Sequence, residues 1–147
     1  MRVVFVTLSS FWLLSAPAFG DEAKSALKEF GLVGAWSSDC SKKLSQIAFA
    51  APPDGSATAI AQDDQGAVIV TTAYEVKEAA VFAGDRIGVA LHPVTIDRSD
   101  GATAPQSEYS NLHIVFQKVD ERIEAIRVQF EGLPEIERAT FFLRCPA

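Results

Sequence analysis

Two cysteines constrain this chain more than any other feature. Cys40 closes the stretch Gly31–Cys40, which also holds Trp36, and Cys145 follows an alternating run that begins at Phe141. Because only short extended segments and turns lie between them, a Cys40–Cys145 bond would tie the first strand to the last. Two cysteines in an exported protein are most simply a disulfide. The alternatives are two buried thiols or two metal ligands, although no His stands beside them to complete a zinc site.

The first twenty residues have the pattern of a secretory signal peptide. Arg2 supplies a positive start, Val3 to Leu14 are almost all apolar, and small residues precede a cleavage position after Gly20. The apolar run is shorter than the roughly twenty residues that a membrane span needs. We therefore expect a signal peptide over 1–20 and one domain over 21–147, periplasmic or secreted, without a stable membrane span after cleavage.

The charge of the predicted mature chain limits its partners. Removing residues 1–20 leaves 12 basic and 19 acidic residues, a net charge of −7. The largest basic cluster is Lys42-Lys43, so the sequence argues against nucleic acid and anionic membranes as partners. A basic protein partner is compatible with this charge.

The apolar periodicity predicts an all-β domain behind one short helix. Residues 21–31 have acids at the start, an apolar face and Gly31 placed to end the helix. From there the apolar residues recur with a period of two between hairpin-sized turns, which predicts eight or nine strands. No helix separates the strands, so a parallel sheet is excluded. We predict an up-and-down antiparallel barrel of about eight strands closed by one disulfide. A two-sheet β-sandwich is the alternative.

Several local features stay open at this point. Ala79 to Ala83 could continue the strand that ends near Val76 or form a separate one. Pro93 implies an edge, a bulge or a bend. Asp63-Asp64 is interpreted as a solvated turn, and residues 99–107 form the longest predicted loop.

The motif Gly34-Ala35-Trp36 resembles the Gly-x-Trp that opens the first strand of lipocalins and related calycin barrels. In that family a short helix precedes the motif, and an Arg near the end of the last strand packs across the Trp. The helix ending at Gly31 and the position of Arg144 are similar. The resemblance implies an eight-stranded barrel with a cup for a small apolar ligand, and structural roles for Gly34, Trp36 and Arg144. A cation–π contact of Arg144 on Trp36 would contribute about 0.5–2 kcal/mol.

Candidate chemistry is sparse. Trp36, Tyr74 and His113 are candidate ligand contacts, and His113 could face either the lumen or the surface. No nucleophile motif or metal-ligand spacing is present, so we expect no enzyme activity, no catalytic residues, no metal and no cofactor. Asp97–Gly101 resembles a calcium loop only faintly and is interpreted as a turn.

Two functions follow from this pattern as hypotheses. The first is a lipocalin-like exported protein that binds a small apolar molecule. The second is a protein-interaction or envelope-structural module that uses the loop at 99–107. Lysozyme inhibitors of similar size are one version of the second hypothesis, but Ser107-Glu108-Tyr109-Ser110 lacks the Gly of their Ser-Gly-x-x-Tyr loop.

Overall fold

The computed structural model describes residues 19–42 and 46–146, so most of the predicted signal peptide lies outside the described residues. Within these ranges the chain forms one α-helix, eight strands and a short 3₁₀ turn at Gln106–Glu108. The bounds are α1 Phe19–Phe30, β1 Gly34–Ser37, β2 Gln46–Ala50, β3 Thr58–Asp64, β4 Ile69–Phe82, β5 Arg86–Arg98, β6 Leu112–Val119, β7 Arg122–Phe130 and β8 Ile136–Arg144.

The strands form a closed antiparallel barrel in chain order. Each strand pairs with the next, and β1 pairs with β8. The predicted up-and-down barrel is therefore confirmed, and the sandwich alternative is wrong because the first and last strands pair in one sheet. The arrangement of a short helix before an eight-stranded barrel is compatible with a lipocalin-like fold.

Helix α1 ends where the sequence predicts. Gly31 has a φ of 79°, and its N–H donates to the Lys28 carbonyl while the Leu32 N–H donates to the Leu27 carbonyl. These two bonds form a Schellman motif, in which a residue of positive φ lets the orphan carbonyls of the last turn find donors. The described part of the chain begins within this helix, at Phe19. Among the described residues, no helix has the length and apolar character needed to cross a membrane.

The helix closes one end of the barrel. Ala23, Leu27 and Phe30 on its apolar face are buried together with Leu32 and Trp36. A helix of twelve residues is marginal by itself in water, so this packing is what stabilises it. We call this the helix end of the barrel, and the opposite one the open end.

Strands β4 and β5 are long and irregular, which settles two open points. Ala79 to Val81 continue β4 beyond a register shift between Val76 and Glu78. Pro93 lies inside β5, next to a second shift between Ala73 and Tyr74. Both positions are β-bulges, which let a long hairpin bend around the barrel.

The seam between β1 and β8 is the narrowest pairing in the barrel. Since β1 has four residues, it pairs with β8 only at Trp36↔Arg144 and Ser37↔Leu143. The predicted disulfide, Cys40–Cys145, joins the chain at this seam with a Cα–Cα distance of 5.3 Å. The Cys145 N–H also donates to the Ala35 carbonyl at 2.8 Å. A covalent bond thus reinforces the place where hydrogen bonding is sparsest.

Candidate functional site

The open end of the barrel has a cavity of about 420 Å³. Strands β2, β3, β4, β6, β7 and β8 contribute side chains to its wall. Most of the wall is apolar. The apolar residues on the β6–β8 side are Leu112, Ile114, Phe116, Ala125, Val128, Phe130, Ile136 and Phe142, and those on the β2–β3 side are Ile47 and Ala61.

An aromatic layer forms the floor of the cavity. Phe116 packs edge to face against Phe49 at 5.9 Å and against Phe142 at 6.5 Å between ring centroids. This geometry is the preferred one for aromatic pairs. Phe116 is almost fully buried, so the layer separates the cavity from the packed helix end. The cavity is therefore a cup with one closed side.

Five polar side chains interrupt the apolar wall: Gln46, Gln62, Asp63, Tyr74 and Thr140. Tyr74 is half-buried, and burial raises the pKa of its phenol above the ordinary value, partly offset by a hydrogen bond with Thr72. Tyr74 is the one predicted ligand contact that lines the cavity. Its hydroxyl stays protonated at neutral pH and can donate to or accept from a bound molecule.

Asp63 is exposed, as the sequence suggested, but it lies in a strand and lines the cavity instead of forming a turn. Strand β3 continues through Asp63 and Asp64, and Asp63 pairs with Val70 of β4. Buried Ala59 and half-buried Ala61 precede it at intervals of two, so the inward row of β3 ends with this carboxylate. The repeat of small residues before Asp63 was the signal that could have placed it inside the barrel.

Trp36 lies away from the cavity, at the helix end. Its side chain is 4% exposed, and its indole Nε1 donates to the Leu32 carbonyl at 2.8 Å. The Arg144 guanidinium lies 4.4 Å above the ring. Arg144 also donates from Nη1 to the Val33 carbonyl at 2.7 Å and from Nη2 to the Gly31 carbonyl. These contacts make Trp36 and Arg144 part of the closure between helix, β1 and β8.

Gly34 gives Arg144 the space for these contacts. A Cβ at position 34 would lie 2.7 Å from Nη1 of Arg144, and the φ of Gly34 is 127°. Both the backbone conformation and the close approach of the guanidinium therefore favour glycine here.

His113 lies on the outer wall, which is one of the two positions that the sequence left open. Its neighbours Leu112 and Ile114 occupy the inward positions of β6, which leaves the imidazole exposed on the other face. His92 is on the same outer wall and donates from Nδ1 to Asn111 Oδ1 at 2.6 Å. Asn111 Nδ2 in turn donates to a Glu131 carboxylate at 2.7 Å.

The segment considered for calcium is a turn, as predicted. Asp100 accepts hydrogen bonds from Arg98 and from the Ala102 N–H, which hold the pKa of its carboxyl below the usual value. Within 19–42 and 46–146, no group of three or more Asp, Glu, His or Cys side chains is arranged to hold a metal ion. The loop that follows is exposed except for Ala104.

Comparison with known proteins adds no identity to this geometry. No family model, no curated protein and no solved structure matches the chain.

Proposed function

We propose that this protein binds a small, mainly apolar molecule in the cavity at the open end of its barrel. The observation that carries the proposal is the mainly apolar wall of this cup; a second cavity of about 500 Å³ at the helix end is lined largely by charged side chains, among them Lys118, Asp120 and Arg122. A volume of about 420 Å³ falls within the range of about 300–1,000 Å³ for small-molecule sites. A few polar groups set in an apolar wall are also typical of such sites, because they orient the ligand.

The proposal includes lipocalin-like membership and export. The barrel topology, the preceding helix and the Arg144 contact on Trp36 support the first. The disulfide supports the second, since disulfides persist in oxidising compartments outside the cytoplasm. Residues 1–18 of the predicted signal peptide lie outside the described residues, and cleavage after Gly20 stays a prediction.

The experiment is a titration with N-phenyl-1-naphthylamine, an uncharged probe whose fluorescence rises in apolar surroundings. We expect saturable binding of one probe per chain. Ala61→Phe places a large ring in the cavity from β3 and should weaken probe binding at least tenfold. Thr140→Phe does the same from β8 and provides a second variant if the first fails to fold.

Ile60→Phe is the matched control. Ile60 neighbours Ala61 on β3 but lies on the outer wall with 49% of its surface exposed. The same new ring at this position should leave the probe affinity unchanged. Equal binding by wild type, A61F and T140F, all folded, would rule out the cavity as the binding site.

Protein interaction is the second candidate function. The exposed loop at 99–107 and the outward side chains Phe141 and Leu143 of β8, 41% and 45% exposed, are the observations that favour it. The lysozyme-inhibitor version is tested by lysozyme activity at micromolar protein. Undiminished lysozyme activity would eliminate that version.

A further inference from the structure

We infer that the cavity prefers amphipathic cations, with the apolar part of the molecule in the cup and its positive group beside Asp63. This inference rests on the proposed function and names the class of ligand for the same site.

The position of Asp63 is the first step. Its place at the end of the inward row of β3 puts the carboxylate at the mouth of the cavity, above Ala61 and away from the Phe116 floor. A long molecule that fills the cup with its apolar part would therefore bring its other end to this carboxylate.

The second step is that this carboxylate has no ion-pair partner among the described residues. Among the described residues that line the cavity, Asp63 is the one Asp, Glu, Lys or Arg. Its Oδ2 accepts a hydrogen bond of 3.3 Å from the neutral amide of Gln65. No Lys or Arg of the described chain forms an ion pair with it. A cationic ligand would supply the missing counter-charge.

The third step is the charge around the mouth. Strand β3 ends with Asp63 and Asp64, and the turn between β7 and β8 carries Glu131 and Glu135 but no Lys or Arg. The described cations at this end each lie beside an acid: Arg127 is 3.7 Å from Glu135, Arg98 is 3.0 Å from Asp100, and Lys42 is 3.9 Å from Asp39. The described charge around the mouth therefore favours cations over anions at low salt.

The experiment compares three ligands that share one apolar chain: decyltrimethylammonium, decanol and decyl sulfate, each displacing N-phenyl-1-naphthylamine at low ionic strength. We expect the cation to displace the probe at about a tenfold lower concentration than the anion, with decanol between them. The difference should shrink when salt is raised to about 0.5 M.

Asp63→Asn and Asp64→Asn form the matched pair. Each substitution removes one negative charge, and the two positions are adjacent in β3. Asp63 lines the cavity, whereas Asp64 does not and lies on the other face of the strand. We expect D63N to weaken decyltrimethylammonium binding by roughly two- to fivefold and to leave decanol unchanged, since one partly exposed ion pair is lost. D64N should have a smaller effect.

The outcomes separate the two proposals. If decanol displaces the probe but the three ligands bind equally, the cavity function stands and the cation preference is overturned. Equal weakening by D63N and D64N would overturn the assignment to Asp63. If no ligand displaces the probe, the proposed function itself fails.

Discussion

The two ends of the barrel differ in how far their apolar side chains are covered. At the helix end, Leu27 and Leu32 are fully buried, and Arg144 ties β8 to the chain before β1. At the open end, Phe130, Leu133 and Ile136 stay at least one-third exposed around the cavity. One end is thus a packed core, and the other keeps apolar surface in contact with water.

This difference teaches where stability and binding are located. Burial of apolar surface contributes about 25 cal/mol per Å², so the helix end supplies stability that the open end does not. The open end bears the cost of unfilled space, which a ligand could recover. Mutations at the helix end should therefore change the free energy of unfolding, and mutations at the open end should change ligand binding.

The largest expected effect is removal of the disulfide at the seam. Cys40 and Cys145 are 105 residues apart, and in the chain-entropy model a closed loop of this length stabilises the fold by about 4–5 kcal/mol. Replacing both cysteines with Ala should lower the free energy of unfolding by an amount of this order, measured by urea denaturation. Reductant should destabilise the wild type similarly and leave the variant unchanged. An unchanged urea midpoint would mean that the other barrel contacts hold the seam without help.

The next prediction compares the two ends directly by making the same change, Leu to Ala, at each end. Leu27→Ala at the helix end removes a side chain that is 0% exposed and should cost about 2–5 kcal/mol. Leu133→Ala at the open end removes one that is 60% exposed and should change stability by less than about 0.5 kcal/mol. Urea denaturation measures both. Similar losses in the two variants would contradict the assignment of stability to the helix end.

A smaller effect concerns the fit between Gly34 and Arg144. Arg144→Ala should cost about 1–2 kcal/mol, because it removes the stacking on Trp36 and two hydrogen bonds to carbonyls at a partly exposed site. Gly34→Ala should also destabilise, since its Cβ would displace the guanidinium. We expect the double variant to lose about 1 kcal/mol less than the sum of the single losses. Strict additivity would show that the alanine at position 34 acts through the backbone alone.

The smallest effect is a pH dependence at Tyr74. Burial raises the folded-state pKa of this phenol above its ordinary value of 10.0, so its contribution to stability is complete below pH 10. As pH rises above 10, the unfolded chain ionises first and stability is lost, by less than about 1.4 kcal/mol per pH unit. Tyr74→Phe should flatten the decline measured between pH 10 and 11, and Tyr109→Phe on the exposed loop serves as the control. A decline of equal slope in wild type and Y74F would contradict this role.

The sequence predicted the helix end more completely than the open end. The closure could be predicted from one chain because Trp36 and the two cysteines are rare residue types, and Gly31 and Arg144 stand at positions that fit them. Periodicity also gave the strand number within one, because alternation and turn residues are local signals.

The open end was harder to predict, because the face and the depth of each side chain there depend on the register between strands. The alternation in β8 places Phe141 and Phe142 on opposite faces, and from the sequence either could have faced inward. Phe142 faces inward and packs on Phe116. Phe141 faces outward, and the Arg122 guanidinium lies 4.5 Å from the centre of its ring. Asp63 looked like part of a turn because its place inside the barrel depends on pairing with β4. The volume of the cavity depends on the side chains of all the strands that line it, so it cannot be predicted from any local sequence pattern.

The placement of the two sulfurs has a consequence for how the molecule is made. A ribosome delivers Cys40 early and Cys145 only after all eight strands, so the covalent ring can be completed only once the whole barrel has been synthesised. A pulse-chase measurement of free thiols would therefore follow the time course of maturation. Chains interrupted before the last strand would keep a reactive sulfhydryl, by which quality-control machinery could distinguish them from complete molecules.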